Sequence, residues 1–415
     1  MTIDVLPAAP APAPEAEYAQ RISVLRQRMR AEGIAAVAVA SPENVYYLTG
    51  LDHLGYFAFT LLVLPESGQP ALVTRAMEGP TIRAQVPWCR HVAFGDGDSP
   101  AAAAVAALAA VTDPGAANPA VANPAVADPA VTDSDTREHG ATVALDEESM
   151  FFPPAVAAAI RHGLPDLRWR SASTLLAMQR AVKSPAEVDH TRQAASISDW
   201  AIAAGIAAAR PGVSERAVAA EVYRAMIEAG GEPPGFPPLI RPTTMLDREH
   251  VSWSGGTLEP GMGLFFELSA SVRRYHAPQS RTVYLGHAPD EAFEAAEFAL
   301  AGLVAAREAL RPGAFTGEVY AAWQRVVAGS VPSSQPLRHH CGYLVGIGFP
   351  PSWVGGGAVL GIRAGGEVEI VPGMTFHLMS WVTRPTGHVV SDTVLVTDTG
   401  AELLTTTPRE LTIIT

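Results

Sequence analysis

The four residues Ser184-Pro185-Ala186-Glu187 are the strongest local constraint on how this chain folds. A serine followed three residues later by glutamate is a capping box, and proline suits the first turn of a helix. A long helix is therefore predicted to start here. Because the hydrophobic pattern changes just before this point, we predict a domain boundary near residue 180, with domains over 18–180 and 181–415.

The first domain shows alternating helix and strand signals. Apolar residues at Ile22, Leu25 and Met29 predict a helix, and short apolar runs at 35–40, 57–64 and 71–74 predict strands, so we expect an α/β domain. Residues 1–17 are rich in Ala and Pro and are expected to form a disordered arm. The Asn/Asp-Pro-Ala-Val near-repeats predict a disordered insertion at about 100–135.

In the second domain the predicted helices and strands are arranged differently. Helices are predicted at about 186–210, 214–229, 289–311 and 316–329, separated by strand-like segments with Gly and Pro turns. Helices flanking a largely antiparallel sheet give an α+β domain.

Composition excludes several classes of partner. The chain has 415 residues and a net charge of −13, which does not suit a phosphate backbone, so no nucleic-acid partner is expected. Its apolar stretches are short and interrupted, which predicts no membrane span. Its two cysteines, Cys89 and Cys341, lie far apart without metal or redox spacing. We therefore expect a soluble protein in the reducing cytoplasm.

A series of short motifs resembles the creatinase/prolidase/methionine aminopeptidase family. The chain resembles that family along nearly its whole length, which implies a pita-bread fold in the second domain and a homodimer. The segments that carry the resemblance are 41–50 (SPENVYYLTG), 183–187 (KSPAE), His250, 275–282 (YHAPQSRT), 342–346 (GYLVG), 372–374 (PGM) and 392–397 (DTVLVT).

The resemblance also implies where metal ligands would stand. Metallopeptidases of this family hold two metal ions with two Asp, one His and two Glu. In this sequence those five positions carry Glu267, Pro278, Tyr343, Met379 and Ser391. A dinuclear site needs several ionised carboxylates, and only one remains, so no metal and no other cofactor is expected.

The replacement pattern resembles the ectoine hydrolase branch, which opens a small cyclic amidine without metal; creatinase likewise hydrolyses a guanidino compound. This implies a hydrolase of a non-peptide C–N bond in a small molecule. Glu267, within an apolar strand, is the expected nucleophile or general base, with an ion pair to a nearby arginine as the alternative. His250 matches a histidine that moves protons in creatinase-like members, and nearby Val251 and Trp253 suggest partial burial.

Further candidates surround this pair. His377 is a candidate catalytic residue, and His276 and His339 are candidates for substrate contact, although a core or rim role is equally open for His276 and His377. Tyr343 could donate a hydrogen bond to a developing oxyanion, and Asp392 could hold a ring nitrogen. Arg281 could clamp a substrate carboxylate or serve the structure.

Three residues of the first domain, Tyr56, Phe57 and Arg75, fall where two-domain relatives send side chains into a partner subunit's pocket; ordinary core and surface roles are equally open. Two other functions fit the same scaffold, since function resides in the site rather than the fold. One is a lyase or cyclase of small-molecule metabolism, and the other is a non-catalytic binding protein.

Overall fold

The computed structural model describes residues 15–112, 140–330, 337–357, 359–383 and 387–415. These residues form two compact units. One unit contains residues 15–179 with a short segment at 356–357, and the other contains residues 180–355 with residues from 359 onward. No helix among the described residues is both long and apolar enough to cross a membrane.

The first unit is a mixed sheet with helices. Its strands run in the order β4-β3-β2-β1-β5-β6, with β1 parallel to β5 and antiparallel to β2. The strands are β1 Ala36–Val39, β2 Leu61–Pro65, β3 Ala71–Arg75, β4 Arg90–Phe94, β5 Thr142–Leu145 and β6 Arg168–Ser171. The helices are α1 Glu15–Ala31, α2 Pro42–Thr49, α3 Gly79–Gln85, α4 Pro100–Thr112, α5 Pro154–Gly163 and α6 Ser173–Ala181.

Two expectations for this unit were wrong in part. The predicted insertion begins within α4, an ordered helix whose Ala104, Ala107 and Leu108 are fully buried against the sheet. Alanine has the highest helix propensity, and this spacing forms one apolar face, so the Ala-rich run is helical rather than disordered. Residues 15–17 of the predicted arm also belong to a helix, α1. The remainder of both segments, 1–14 of the arm and 113 to about 135 of the insertion, lies outside the described residues.

The second unit is built around a large sheet. The strand order over the described residues is β11-β10-β12-β13-β9-β8-β7, with β14 on β13 and β15 on β9. Apart from the parallel pair β15–β9, the strand pairs of this sheet are antiparallel. The strands are β7 Leu239–Pro242, β8 Gly263–Val272, β9 Tyr275–Leu285, β10 His340–Leu344, β11 Gly361–Arg363, β12 Thr375–Val382, β13 His388–Thr397, β14 Gly400–Leu403 and β15 Thr412–Ile414.

Two helix pairs cover this sheet. They are α7 Pro185–Ala208 with α8 Glu215–Glu228, and α9 Asp290–Ala309 with α10 Thr316–Val327. The capping box at the start of α7 is present, since Ser184 Oγ accepts from the Glu187 N–H and the Glu187 carboxylate accepts from the Ser184 N–H.

Strand alternation separates the helix-covered face of the sheet from the opposite face. On β8 the even-numbered Leu264, Phe266 and Leu268 pack with α7 and α8, and on β12 the even-numbered Phe376 and Leu378 pack with α9 and α10. Successive strand residues point to opposite faces, so the odd-numbered residues of β8 and β12, Glu267 among them, face away from these helices.

Candidate functional site

The register of the second sheet brings one row of residues together. Glu267 pairs with Leu239 on one side and with Ser280 on the other; Ser280 pairs with Ser391, and Ser391 pairs with Met379. Directly opposed residues of neighbouring strands share a face. Three of the five positions equivalent to metal ligands therefore lie in this row. Of the other two, Pro278 lies on β9 two residues before Ser280, and Tyr343 lies on β10, where it pairs with His377 of β12.

A cavity of ≈ 490 Å³ opens on this face of the sheet. Its volume suits a small molecule. Glu267 and Met379 line it from the sheet, and loops around the sheet add aromatic and charged groups. Those loop residues include Phe236, Glu249, His250, Arg338, His339 and Trp353.

Glu267 is a titratable residue of this cavity whose pKa is shifted close to neutral pH. Its side chain is 7% exposed. Burial raises the pKa of Glu267 to about 7, although Arg338 and Arg241 oppose the rise. No described group lies within hydrogen-bonding or ion-pairing distance of its carboxylate. The expected alternative, an ion pair with a nearby arginine, is therefore not found among the described residues, and the carboxylate is available to a ligand.

His250 lines the same cavity as Glu267, but its environment differs from the expected one. The residue is exposed rather than partly buried, and its ring lies edge-on to Phe236 with centroids 5.8 Å apart. Its backbone has φ 54, a left-handed conformation that is uncommon for a residue other than glycine. Such strain is found most often at functional sites. The structure thus places this imidazole where the cavity meets solvent.

His377 lies on the cavity-side face of the sheet but is not among the residues that line the cavity. It is fully buried, its Nδ1 is 2.8 Å from the Tyr343 hydroxyl, and its Nε2 is 2.7 Å from Ser391 Oγ. Burial, with a smaller contribution from His340 and Arg338, lowers the pKa of His377 to about 3. Both nitrogens are thus engaged within the protein, which favours a core role, and the catalytic role of His377 stays a prediction.

Tyr343 lines the cavity and is held by two neighbours. Trp353 Nε1 donates to its hydroxyl at 2.9 Å, and the His377 ring provides the second contact. Burial, together with the negative charge of Glu267, raises the pKa of Tyr343 far above its usual range. The phenol therefore stays protonated at physiological pH.

Three other predicted substrate contacts, His276, Arg281 and Asp392, have their polar atoms engaged within the protein. His276 Nε2 accepts from the Gly235 N–H at 2.8 Å, and its Nδ1 lies 2.9 Å from the Arg274 carbonyl, which occupies both nitrogens. Arg281 Nη2 donates to Asp392 at 2.9 Å, and both side chains are buried. Arg281 and Asp392 directly follow Ser280 and Ser391 of the cavity-side row, so strand alternation turns their side chains to the opposite face of the sheet.

The remaining candidates differ in the solvent exposure of their side chains. His339 lines the cavity and is exposed. In the first unit, Tyr56 is buried against His53 and Phe151, which favours the core role that the sequence left open. Phe57 is 82% exposed, and the guanidinium of Arg75 lies 5.5 Å from its ring centroid. The expectation that Phe57 and Arg75 meet a partner subunit stays a prediction.

Three arginines that line the cavity, Arg241, Arg338 and Arg363, were missed from the sequence. Arg338 forms a bidentate ion pair with Glu249 at 2.6 and 3.2 Å. Arg241 is 1% exposed, donates to the Met245 and Val251 carbonyls, and leaves Nη2 without a hydrogen-bond partner among the described residues. Arg241 stands in the apolar strand β7, so the signal that identified Glu267, a charge within an apolar strand, could have found it.

The five positions do not fit a pair of metal ions. Pro278 has no donor atom, Met379 offers a thioether, and Ser391 Oγ is engaged with His377 and Ser280. Hard divalent ions prefer several carboxylate oxygens, and Glu267 alone supplies them. Within the described ranges, no group of three or more His, Cys, Asp or Glu side chains has metal-binding geometry.

Comparisons with known proteins agree on one lineage. Residues 189–398 match the model of metallopeptidase family M24, and residues 21–182 match the creatinase/prolidase N-terminal domain. The ectoine hydrolase of Halomonas elongata is 28% identical over 409 residues, covering 95% of this chain and 96% of that protein.

Solved structures share the fold. The prolidase of Thermococcus sibiricus superposes with a TM-score of 0.79 at 20% identity, covering 96% of this chain and 99% of that one. Dipeptidase PepE of Mycobacterium ulcerans has a TM-score of 0.76 at 23% identity, covering 96% and 98%. At these identities the likeness establishes the architecture, including the pita-bread second unit, and leaves the reaction open.

Proposed function

Since the chain belongs to metallopeptidase family M24, a family of hydrolases, we propose that it hydrolyses a non-peptide C–N bond in a small cyclic amidine or guanidino compound without a metal ion. The observation that carries this proposal is Glu267. It is a buried carboxylate on the cavity wall, with no partner among the described residues and with a pKa raised to about 7. The similarity to an ectoine hydrolase supports the same reaction class.

A cationic substrate suits this carboxylate. An amidinium or guanidinium ion next to Glu267 would favour the ionised form and would replace the hydrogen bonds that the carboxylate lacks. Once ionised and desolvated, the carboxylate can attack the central carbon, or it can remove a proton from an attacking water. Both routes break the same C–N bond, and both need Glu267.

His250 is the proposed proton carrier. An exposed imidazole at the cavity mouth can give a proton to the departing nitrogen and recover one from solvent. The aromatic groups Phe236, Tyr343 and Trp353 would pack against a flat, delocalised cation and hold it in line with the carboxylate.

The test uses the full-length chain, with and without dialysis against a chelator. Ectoine and creatine serve as probes. Mass spectrometry detects a ring-opened product heavier by one water from the cyclic amidine, and from creatine two fragments whose masses sum to that of creatine plus one water. The variant Glu267→Gln is compared with Glu297→Gln, whose glutamate is exposed on α9. Product from the wild type and from Glu297→Gln, retained after chelation and absent from Glu267→Gln, would support the proposal.

Two results would contradict it. One is activity that chelation abolishes and a divalent ion restores, because metal-dependent chemistry would then be required. The other is the absence of product from any amidine or guanidino probe while an Xaa-Pro dipeptide is cleaved, which would point to peptidase activity.

A further inference from the structure

Four polar side chains on the cavity-side face of the sheet form a continuous hydrogen-bonded chain. Ser280 Oγ is 2.7 Å from Ser391 Oγ, Ser391 Oγ is 2.7 Å from His377 Nε2, and His377 Nδ1 is 2.8 Å from the Tyr343 hydroxyl. Ser280, Ser391 and His377 are each at most 1% exposed. Only the last member, Tyr343, lines the cavity.

The protons of this chain can be arranged in two directions. Each hydroxyl has one proton, and a neutral imidazole carries one N–H, so fixing one hydrogen bond fixes the others. In one direction Tyr343 donates to His377, His377 to Ser391, and Ser391 to Ser280. In the other, Ser280 donates to Ser391, Ser391 to His377, and His377 to the Tyr343 oxygen.

The two directions differ at their ends. If Ser280 receives a hydrogen bond from Ser391, its own buried proton has no acceptor among the described residues. A buried donor without an acceptor is costly. If Ser280 donates instead, the proton left at the end belongs to Tyr343, whose hydroxyl faces a cavity that solvent or substrate can occupy.

We infer that the chain runs from Ser280 through Ser391 and His377 to Tyr343, so that the phenol proton of Tyr343 is directed into the cavity. The Tyr343 oxygen then accepts from both His377 and Trp353, whose indole nitrogen can only donate. Both of its lone pairs are occupied. Tyr343 is thereby a hydrogen-bond donor to the ligand and is unable to act as an acceptor or a base.

The consequence for catalysis rests on the proposed function. The nitrogens of a bound amidinium ion are delocalised and present N–H donors, so a phenol donor has nothing to bind in the ground state. When an oxygen of Glu267 or of water forms a bond to the central carbon, the electrons of the C=N bond move onto nitrogen. That nitrogen becomes a hydrogen-bond acceptor, and the Tyr343 proton is in place to bind it. The interaction exists only after the addition has begun, which accelerates the reaction without tightening substrate binding.

Neutron diffraction from crystals of the full-length protein soaked in D₂O tests the direction without any substrate. The expected map shows deuterium on His377 Nδ1, none on Nε2, and the Ser391 deuteron pointing at Nε2. Deuterium on Nε2, or a Tyr343 deuteron pointing at His377, would overturn the inference. This result is decided whether or not any amidine is hydrolysed, so it is independent of the proposed function.

Kinetics test the consequence in an active preparation. For Tyr343→Phe we expect kcat to fall by roughly 10²–10³-fold, the usual loss for one donor to a developing charge, with KM changed less than about threefold. Ser391→Ala removes the donor that orients His377 and should lower kcat at least tenfold at similar KM, whereas Ser391→Thr restores the hydroxyl and most of kcat. Equal kcat values for the Ala and Thr variants would refute a positioning role for Ser391.

Discussion

The substitution Glu267→Gln should change the stability of the protein in a pH-dependent way. In the folded protein burial raises the pKa of Glu267 from 4.5 to about 7. Between these two values the folded state keeps a proton that the unfolded state has lost. Wild-type stability therefore falls as pH rises through this window, and glutamine, which does not titrate, removes that loss.

The magnitude follows from the shift. A difference of one pKa unit corresponds to about 1.4 kcal/mol, so the move from 4.5 to about 7 gives about 3 kcal/mol. The free energy of unfolding of Glu267→Gln, measured relative to the wild type, should rise by that amount between pH 4.5 and pH 7.5 and stay constant above pH 7.5. All other titrating groups are common to the two proteins, so their contributions cancel in the difference.

Urea unfolding at several pH values between 4.5 and 8.5 measures this difference. The signal should report on the second unit, for example the fluorescence of Trp381, which packs against Phe265 next to the site. Glu297→Gln is the matched control, because its exposed glutamate should give no pH-dependent difference from the wild type. A constant stability difference between Glu267→Gln and the wild type across the range would refute a buried carboxylate with a raised pKa.

Three further predictions concern individual side chains. In the active protein, kcat/KM should rise with pH through about 7, because Glu267 must be ionised to act; a flat pH profile over pH 5.5–8 would contradict this. Asp392→Asn should lower stability by about 3–5 kcal/mol in denaturant unfolding, because it leaves the buried guanidinium of Arg281 without its counter-charge; a change below about 1 kcal/mol would contradict that pairing. His250→Asn should keep or raise thermal stability by up to about 1 kcal/mol, because asparagine tolerates φ 54, while kcat falls at least tenfold. Unchanged kcat in that variant would exclude His250 as the proton carrier.

Features that depend on residues close together in the sequence could be predicted well. The capping box placed the start of α7, and predicted helices at 214–229, 289–311 and 316–329 correspond closely to α8, α9 and α10. The fold was reached through the order of short motifs, and the comparisons confirm it. Glu267 was identified because it stands at a ligand position of the family that the chain resembles and because a charge inside an apolar strand is rare without a reason.

Other expectations failed because composition is a weaker guide than periodicity. The Ala-rich start of α4 was assigned to a disordered insertion, although its buried positions repeat at helical spacing. Partial burial of His250 was inferred from Val251 and Trp253, yet the residue is exposed, and its backbone has the left-handed φ of 54. A single backbone angle of this kind leaves no trace in the local hydrophobic pattern.

The sequence alone therefore determined the two-domain organisation, the strand that carries Glu267, and the loss of the carboxylate or imidazole ligand at four of the five ligand positions. Only the tertiary structure decided how the replacements act together. Ser280, Ser391, His377 and Tyr343 lie on four different strands, and the cross-strand register alone makes them one hydrogen-bonded chain. The same register and the alternation of strand residues turn Arg281 and Asp392 to the opposite face. A change of one residue in register would exchange these two sets, because side chains alternate with a period of two.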